Sequence, residues 1–331
     1  MRSQLGCSKY VLIVILVLNW ISLASASPTP QVDPFYAASY TLTDLGSPPG
    51  LPGGIGGLAL KPGDPNTLLV GGDTISPIAA IYAFPVSRGP DNHITGFGGP
   101  STLFASAPWA DTFAFGPNGV LFYSTYIFSS IGQIKPGSIA PDKVLTAAIF
   151  NFSDGLNFVP PGFPGANQLI FNSYDESDWY QASLSPDGSG TFNIDNTTET
   201  VSGIHDAIQG FVYIKHGNPL FSGDTMLVLE NGAVQIGAFD IDSDGNPILS
   251  TRRTFVSGVE GGEGAVIDPL TGDLLFSKWG GGNEVYRVTG FGVTDFVGPA
   301  TVPEPSTWLL LGSGLVGLGL WGRKRRREVQ A

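Results

Sequence analysis

The chain has 331 residues, 46 of them glycine and 26 proline, and only 13% are charged while 42% are apolar. It is too apolar for a disordered polymer and too rich in helix breakers for a helical bundle, so β structure in one large domain is expected. Nine basic and 27 acidic residues fall between 27 and 307. That leaves a body near −18, a poor partner for nucleic acid and a good one for cations or simple solubility.

In chain order, the first element is a leader. Arg2 and Lys9 precede an apolar core at 10–21, and Ala24-Ser25-Ala26 supplies a small-x-small cleavage site. This is the pattern of a signal peptide over 1–26, with the mature chain starting near Ser27. The core is too short to span a bilayer comfortably. The single cysteine, Cys7, precedes the apolar run, whereas a lipoprotein acylation site follows it. The mature body therefore has no disulfide.

Residues 27–301 repeat. Segments 57–62, 112–117, 155–160, 210–215 and 264–269 share one frame, with their last positions spaced by 55, 43, 55 and 54 residues. Each is followed by a turn and a second apolar strand, at 67–70, 120–123, 168–171, 225–229 and 274–277. Third strands are expected at 80–84, 131–134, 179–184, 234–239 and 284–288. Fourth strands are expected at 143–150, 191–194 and 248–255. Four short strands per repeat of about 50 residues predict an all-β fold, a five-bladed β-propeller. The strand around 39–44 is the natural closer of the last blade. A sixth, degenerate blade and a β-sandwich stay open, because short strands alone do not separate them.

Two residues before the first apolar residue of each inner strand stand Gly56, Asp111, Asp154, Gln209 and Glu263. In a propeller, equivalent positions on the innermost strands form a ring, here one of hard oxygen ligands suited to Ca²⁺ or Mg²⁺. The bland alternative is acidic turn residues that solvate strand starts. His205-Asp206 lies near the same mouth, where an imidazole beside a carboxylate would be a candidate general base. Asp240, Asp242 and Asp244 match the first half of a calcium loop, but the twelfth position is Thr251 rather than Glu. An Asp-rich hairpin turn explains them equally well. No catalytic serine motif, phosphate loop, zinc spacing or haem motif is present.

The tail has three ordered parts. Pro303-Glu304-Pro305 is followed by an uncharged run at 308–322 and then by Arg323-Lys324-Arg325-Arg326-Arg327. As a helix the run covers about 22 Å, short for a bilayer core of roughly 30 Å. The basic stop should remain cytoplasmic, which places the body outside and leaves 328–331 as a short cytoplasmic end. This tail, 302–327, resembles the PEP-CTERM sorting domain. An ordinary anchor with a Pro-rich stalk is the competing reading.

The resemblance implies recognition by an exosortase, export, and a membrane segment at 308–322. The hosts it implies are Gram-negative bacteria that make exopolysaccharide or biofilm. Residues 264–288 resemble the blade phrase of NHL-type and gluconolactonase-like propellers, a resemblance of fold that carries no activity. Two functions are expected to compete. One is a non-enzymatic envelope or matrix protein that binds a polymer, a cation or a protein. The other is a divalent-metal-dependent hydrolase or lactonase acting in the channel.

Overall fold

The computed structural model describes residues 28–146, 153–203, 206–279 and 281–292. The leader, the tail and their motif residues, Ala24, Ala26, Pro303, Glu304 and Pro305, lie outside the described residues. Two strands open the described chain, β1 (Gln31–Val32) and β2 (Thr41–Asp44), and both join blades built much later in the sequence.

Blade one contains β3 (Leu58–Lys61), β4 (Asp64–Gly72), β5 (Ala80–Arg88), β6 (Ile94–Phe97) and β7 (Thr102–Ser106). Blade two contains β8 (Phe113–Phe115), β9 (Leu121–Thr125), β10 (Ser130–Ile134) and β11 (Lys143–Thr146). Blade three contains β12 (Ser153–Phe158), β13 (Leu169–Ser173), β14 (Trp179–Pro186) and β15 (Phe192–Val201). Blade four contains β16 (Ile208–Ile214), β17 (Thr225–Glu230), β18 (Gln235–Asp240) and β19 (Arg253–Ser257). Blade five contains β20 (Gly262–Ile267), β21 (Leu274–Lys278) and β22 (Glu284–Thr289).

All described pairings are antiparallel, and helix among the described residues is confined to short 3-10 turns. The five sheets settle the blade number and remove the sandwich alternative. The expected inner strands are β3, β8, β12, β16 and β20, each at one end of its sheet. β2 closes the ring by pairing with β22, Leu42 opposite Val288. One stitch was not expected: β1 adds a fifth strand to blade four, Gln31 opposite Ser257. The fourth strand of that blade also begins later than expected, because 249–251 form a 3-10 turn ahead of β19.

Packing explains why the strands read as apolar runs rather than alternating ones. Successive strand residues face opposite sides of a sheet, and here both sides are covered by a neighbouring blade. In β9, Leu121 and Tyr123 pack toward blade one, while Phe122 packs toward blade three. Each of the five blade contacts holds its own hydrophobic cluster. Blades four and five meet through Val212, Leu227, Phe276 and Val288, with Tyr36 and Tyr40 from the N-terminal segment.

Inner strands crowd the axis, and glycine permits it. A Cβ on Gly155 would run into the Gln209 carbonyl, and one on Gly264 into the Leu58 amide. An axial pocket walled by Leu58, Phe113, Leu156 and Phe211 has a volume of about 10 Å³. That is room for about one water.

Candidate functional site

The five inner strands start at one rim, so residues at or just ahead of their first positions face one another across the axis. Hydrogen bonds between blades fix their backbones there. Gly57 N–H donates to the Asp111 carbonyl at 2.8 Å. The Asp154 carbonyl accepts from the Thr112 and Ser124 hydroxyls. Asn172 Nδ2 donates to the Gln209 carbonyl at 3.0 Å, and Ser277 Oγ to the Gly56 carbonyl at 2.7 Å. Ser124, Asn172 and Ser277 occupy the same place in the second strands of blades two, three and five. They form a belt that sequence reasoning missed. Its signal was a polar residue recurring late in otherwise apolar strands.

The belt brings Asp111, Asp154, Gln209 and Glu263 together, all nearly fully buried. Asp154 and Glu263 both stand close enough to Asp111 to feel its charge. Burial, and then the charge of Asp111, hold Asp154 and Glu263 well above the usual carboxylate range. Thr74 Oγ1 donates to Asp111 Oδ1 at 3.2 Å. Asp111 Oδ2, Asp154 Oδ1, Gln209 Oε1 and Glu263 Oε2 remain buried without a partner. Four orphaned hard oxygens in one pocket suit a divalent cation or bound protons. Among the described residues, no three His, Cys, Asp or Glu side chains already stand around a common metal position. Gly56 adds no side chain, and a Cβ there would press on the Asp111 carbonyl at 2.8 Å.

The other candidates fall elsewhere. His205 lies outside the described residues, and Asp206 pairs with Arg252 at 2.6 Å. Arg252 also meets the buried Glu230 at 3.1 Å. Asp240 pairs with Arg253 at 2.7 Å. Asp242 Oδ1 accepts from the backbone N–H groups of Asp244 and Asn246, each at 2.9 Å. Gly245 follows with a φ of +88°. This geometry is that of an Asx-stabilised hairpin turn.

Three solved structures illustrate the fold-level likeness. A gluconolactonase-like protein is 10% identical, covering 79% of this chain and 97% of its own, with a TM-score of 0.45. A catalytically inactive virginiamycin B lyase from Staphylococcus aureus, solved with quinupristin, is 12% identical over 76% and 99%, with a TM-score of 0.38. The aldose sugar dehydrogenase of Streptomyces coelicolor, in its PQQ-bound form, is 14% identical over 74% and 83%, with a TM-score of 0.40. No curated protein sequence matches the chain. Among the described residues no helix is long and apolar enough to cross a membrane, and the run at 308–322 lies outside them. Residues 301–327 match the PEP-CTERM protein-sorting motif, which marks this five-bladed propeller as an exported, membrane-processed exosortase substrate.

Proposed function

We propose that this protein is a non-enzymatic binding propeller, sorted to the envelope or surface of a Gram-negative cell, which engages exopolysaccharide and holds a divalent cation at its axial acid ring. The observation that carries the cation reading is the set of four orphaned oxygens on Asp111, Asp154, Gln209 and Glu263. Ca²⁺ replaces the protons that the buried carboxyls hold with one hard ion and relieves carboxylate repulsion. The alternative, a metal-dependent hydrolase in the channel, is weakened by access. The ring acids are only 1–2% exposed, and the axial pocket lined by the inner strands has room for about one water.

A cation that binds only the folded ring stabilises it by about 2.7 kcal/mol at a hundredfold excess over Kd. Millimolar Ca²⁺ is therefore expected to raise the melting temperature by several degrees. The Asp111→Asn/Glu263→Gln double variant should lose that response and keep or exceed the calcium-free stability. Asp242→Asn is the control for the hairpin turn. If Asp242→Asn abolishes the calcium effect and the double variant does not, the ring is not the site.

Sorting is tested separately. With Pro303-Glu304-Pro305 intact, protease added to spheroplasts should digest the body and spare a cytoplasmic marker. A Pro303→Ala/Pro305→Ala variant should accumulate in the membrane as the uncleaved form. Normal processing of that variant would overturn the motif's assigned role.

A further inference from the structure

The rim opposite the acid ring is where the described chain leaves for its tail. Inner strands β16 and β20 start at the ring, so the turns that follow them, 215–224 and 268–273, lie on the far rim. β22 runs in the same sense as β20, because the antiparallel β21 lies between them, and it ends on that rim too. β1 runs away from the ring and β2 back toward it, which puts 33–40 there as well.

These segments close around the exit. Gly292 N–H donates to Asn218 Oδ1 at 2.7 Å, and a Cβ on Gly272 would meet the Gly292 carbonyl at 2.5 Å. Tyr40 Oη donates to the Pro219 carbonyl at 2.7 Å, and Tyr36 stacks on Phe221 with centroids 5.3 Å apart. Each segment leaves one large apolar side chain in solvent: Phe35 is 62% exposed, Leu220 43% and Leu270 43%. Leu220 has a φ of +65°, a conformation that glycine or asparagine adopts more readily.

Charge does not stand in the way of a phosphate-bearing surface. The body is near −18, but the carboxylates of the two turns are matched or buried. Asp224 pairs with Lys215 at 2.7 Å and with His216 at 2.6 Å. Asp268 is buried against Arg88, and Asp273 is buried beside His93. Among the described residues of these segments that leaves Asp33, whose Oδ1 accepts the Phe35 N–H.

The tether selects what meets this rim. Fifteen residues, 293–307, separate Gly292 from the uncharged run of the sorting tail at 308–322. Fully extended, such a stretch spans at most about 50 Å. A surface so confined meets the bilayer at an effective concentration of about millimolar, so three apolar side chains need little intrinsic affinity. Apolar side chains of this kind bury about 5–10 Å into the boundary between headgroups and acyl chains. Ile78 and Trp279 are also exposed, on the ring rim, but the described chain does not leave for the tail from there.

We propose that this rim, through Phe35, Leu220 and Leu270, rests on the phospholipid surface in which the protein's own tail is anchored, and so turns the acid ring outward; the sorting reading above is its premise.

The mature body has no cysteine, so with Cys7→Ser the thiols of Phe35→Cys, Leu220→Cys, Leu270→Cys and Ile78→Cys are each unique. The full chain, exported and reconstituted in phosphatidylcholine nanodiscs, carries a nitroxide at one of them. Relaxation by lipid-soluble oxygen and by a water-soluble nickel chelate reads the depth of the label. Labels at 35, 220 and 270 should lie about 5–10 Å into the interface, open to oxygen and shielded from nickel. The label at 78 should be in water. In Phe35→Ser/Leu220→Asn/Leu270→Ser, a label on Ala37→Cys should move from the interface into water. The melting temperature of that variant should hold or rise, because the three side chains are exposed and asparagine tolerates the left-handed φ.

The proposal fails if the labels at 35, 220 and 270 are shielded from oxygen and nickel alike, as a protein contact would leave them. A chain that does not stay in the nanodisc refutes the anchor and the docking rim together. An anchored chain whose labels at 35, 220 and 270 read like the one at 78 refutes the rim alone.

Discussion

Replacing Arg88 with alanine is expected to lower stability by about 3–5 kcal/mol, the usual cost of leaving one member of a buried ion pair alone. Arg88, on β5, reaches across from blade one to Asp268 of blade five, Nη1 to Oδ2 at 2.6 Å and Nη2 to Oδ1 at 3.2 Å. Asp268 is completely buried. The remaining guanidinium donors go to Asn66 Oδ1 and to the Pro65 and Asn92 carbonyls. Beside this pair, His93 Nδ1 meets Asp273 Oδ2 at 2.6 Å, and Arg287 Nη1 donates to the Ile94 carbonyl at 2.5 Å.

These contacts clasp the last blade to the first, the junction where ring closure has to be won. The melting temperature should fall by roughly 2–4 °C for each kcal/mol lost. Because the pair is buried, 0.5 M salt should not mimic the variant. Adding Asp268→Asn to Arg88→Ala should recover part of the loss by removing the stranded charge. A melting temperature unchanged within a degree in Arg88→Ala would show that the clasp contributes nothing to closure.

The closure also shows what was legible in the sequence. The inner strands were visible because each carries the same frame, a small residue followed by an apolar run and a turn. That frame reflects glycines such as Gly155 and Gly264, where the axis has no space for a Cβ. The closing role of the segment at 39–44 followed from the need for one blade to hold both chain ends. Arg88–Asp268 was not legible, because the partners lie 180 residues apart and no local pattern links them. The same holds for β1, a two-residue strand with no periodicity to detect. The acid ring was legible as four aligned positions. How completely those four side chains are buried was not, because this depends on how far each inner strand penetrates the axis.

In calcium-free buffer, the ring is expected to make the propeller less stable as pH rises above about 5, and the reason is the direction of two pKa shifts. Asp154 and Glu263 lie well above their ordinary values of 3.8 and 4.5. Above those ordinary values the unfolded chain has released both protons while the folded ring still holds them. The folded state then binds more protons than the unfolded one, so stability falls with rising pH, by about 1.4 kcal/mol per pH unit for each proton retained. The loss ends once pH passes the raised folded values.

Other acids act in the opposite sense. Despite its burial, Asp224 is held low by Lys215 and His216, and Asp187 is held low chiefly by Lys143. Such groups stabilise above the ordinary carboxylate range and lose that contribution as pH falls. The ring's share is therefore read as the difference between wild type and Asp111→Asn/Glu263→Gln across pH 4–8. The variant should gain on the wild type as pH rises, and calcium should erase the gain by displacing the ring protons. Calcium should accordingly stabilise the wild type more at pH 8 than at pH 5, since fewer protons compete with it there. Parallel curves for the two proteins, with and without calcium, would mean that the ring neither stores protons nor exchanges them for a cation.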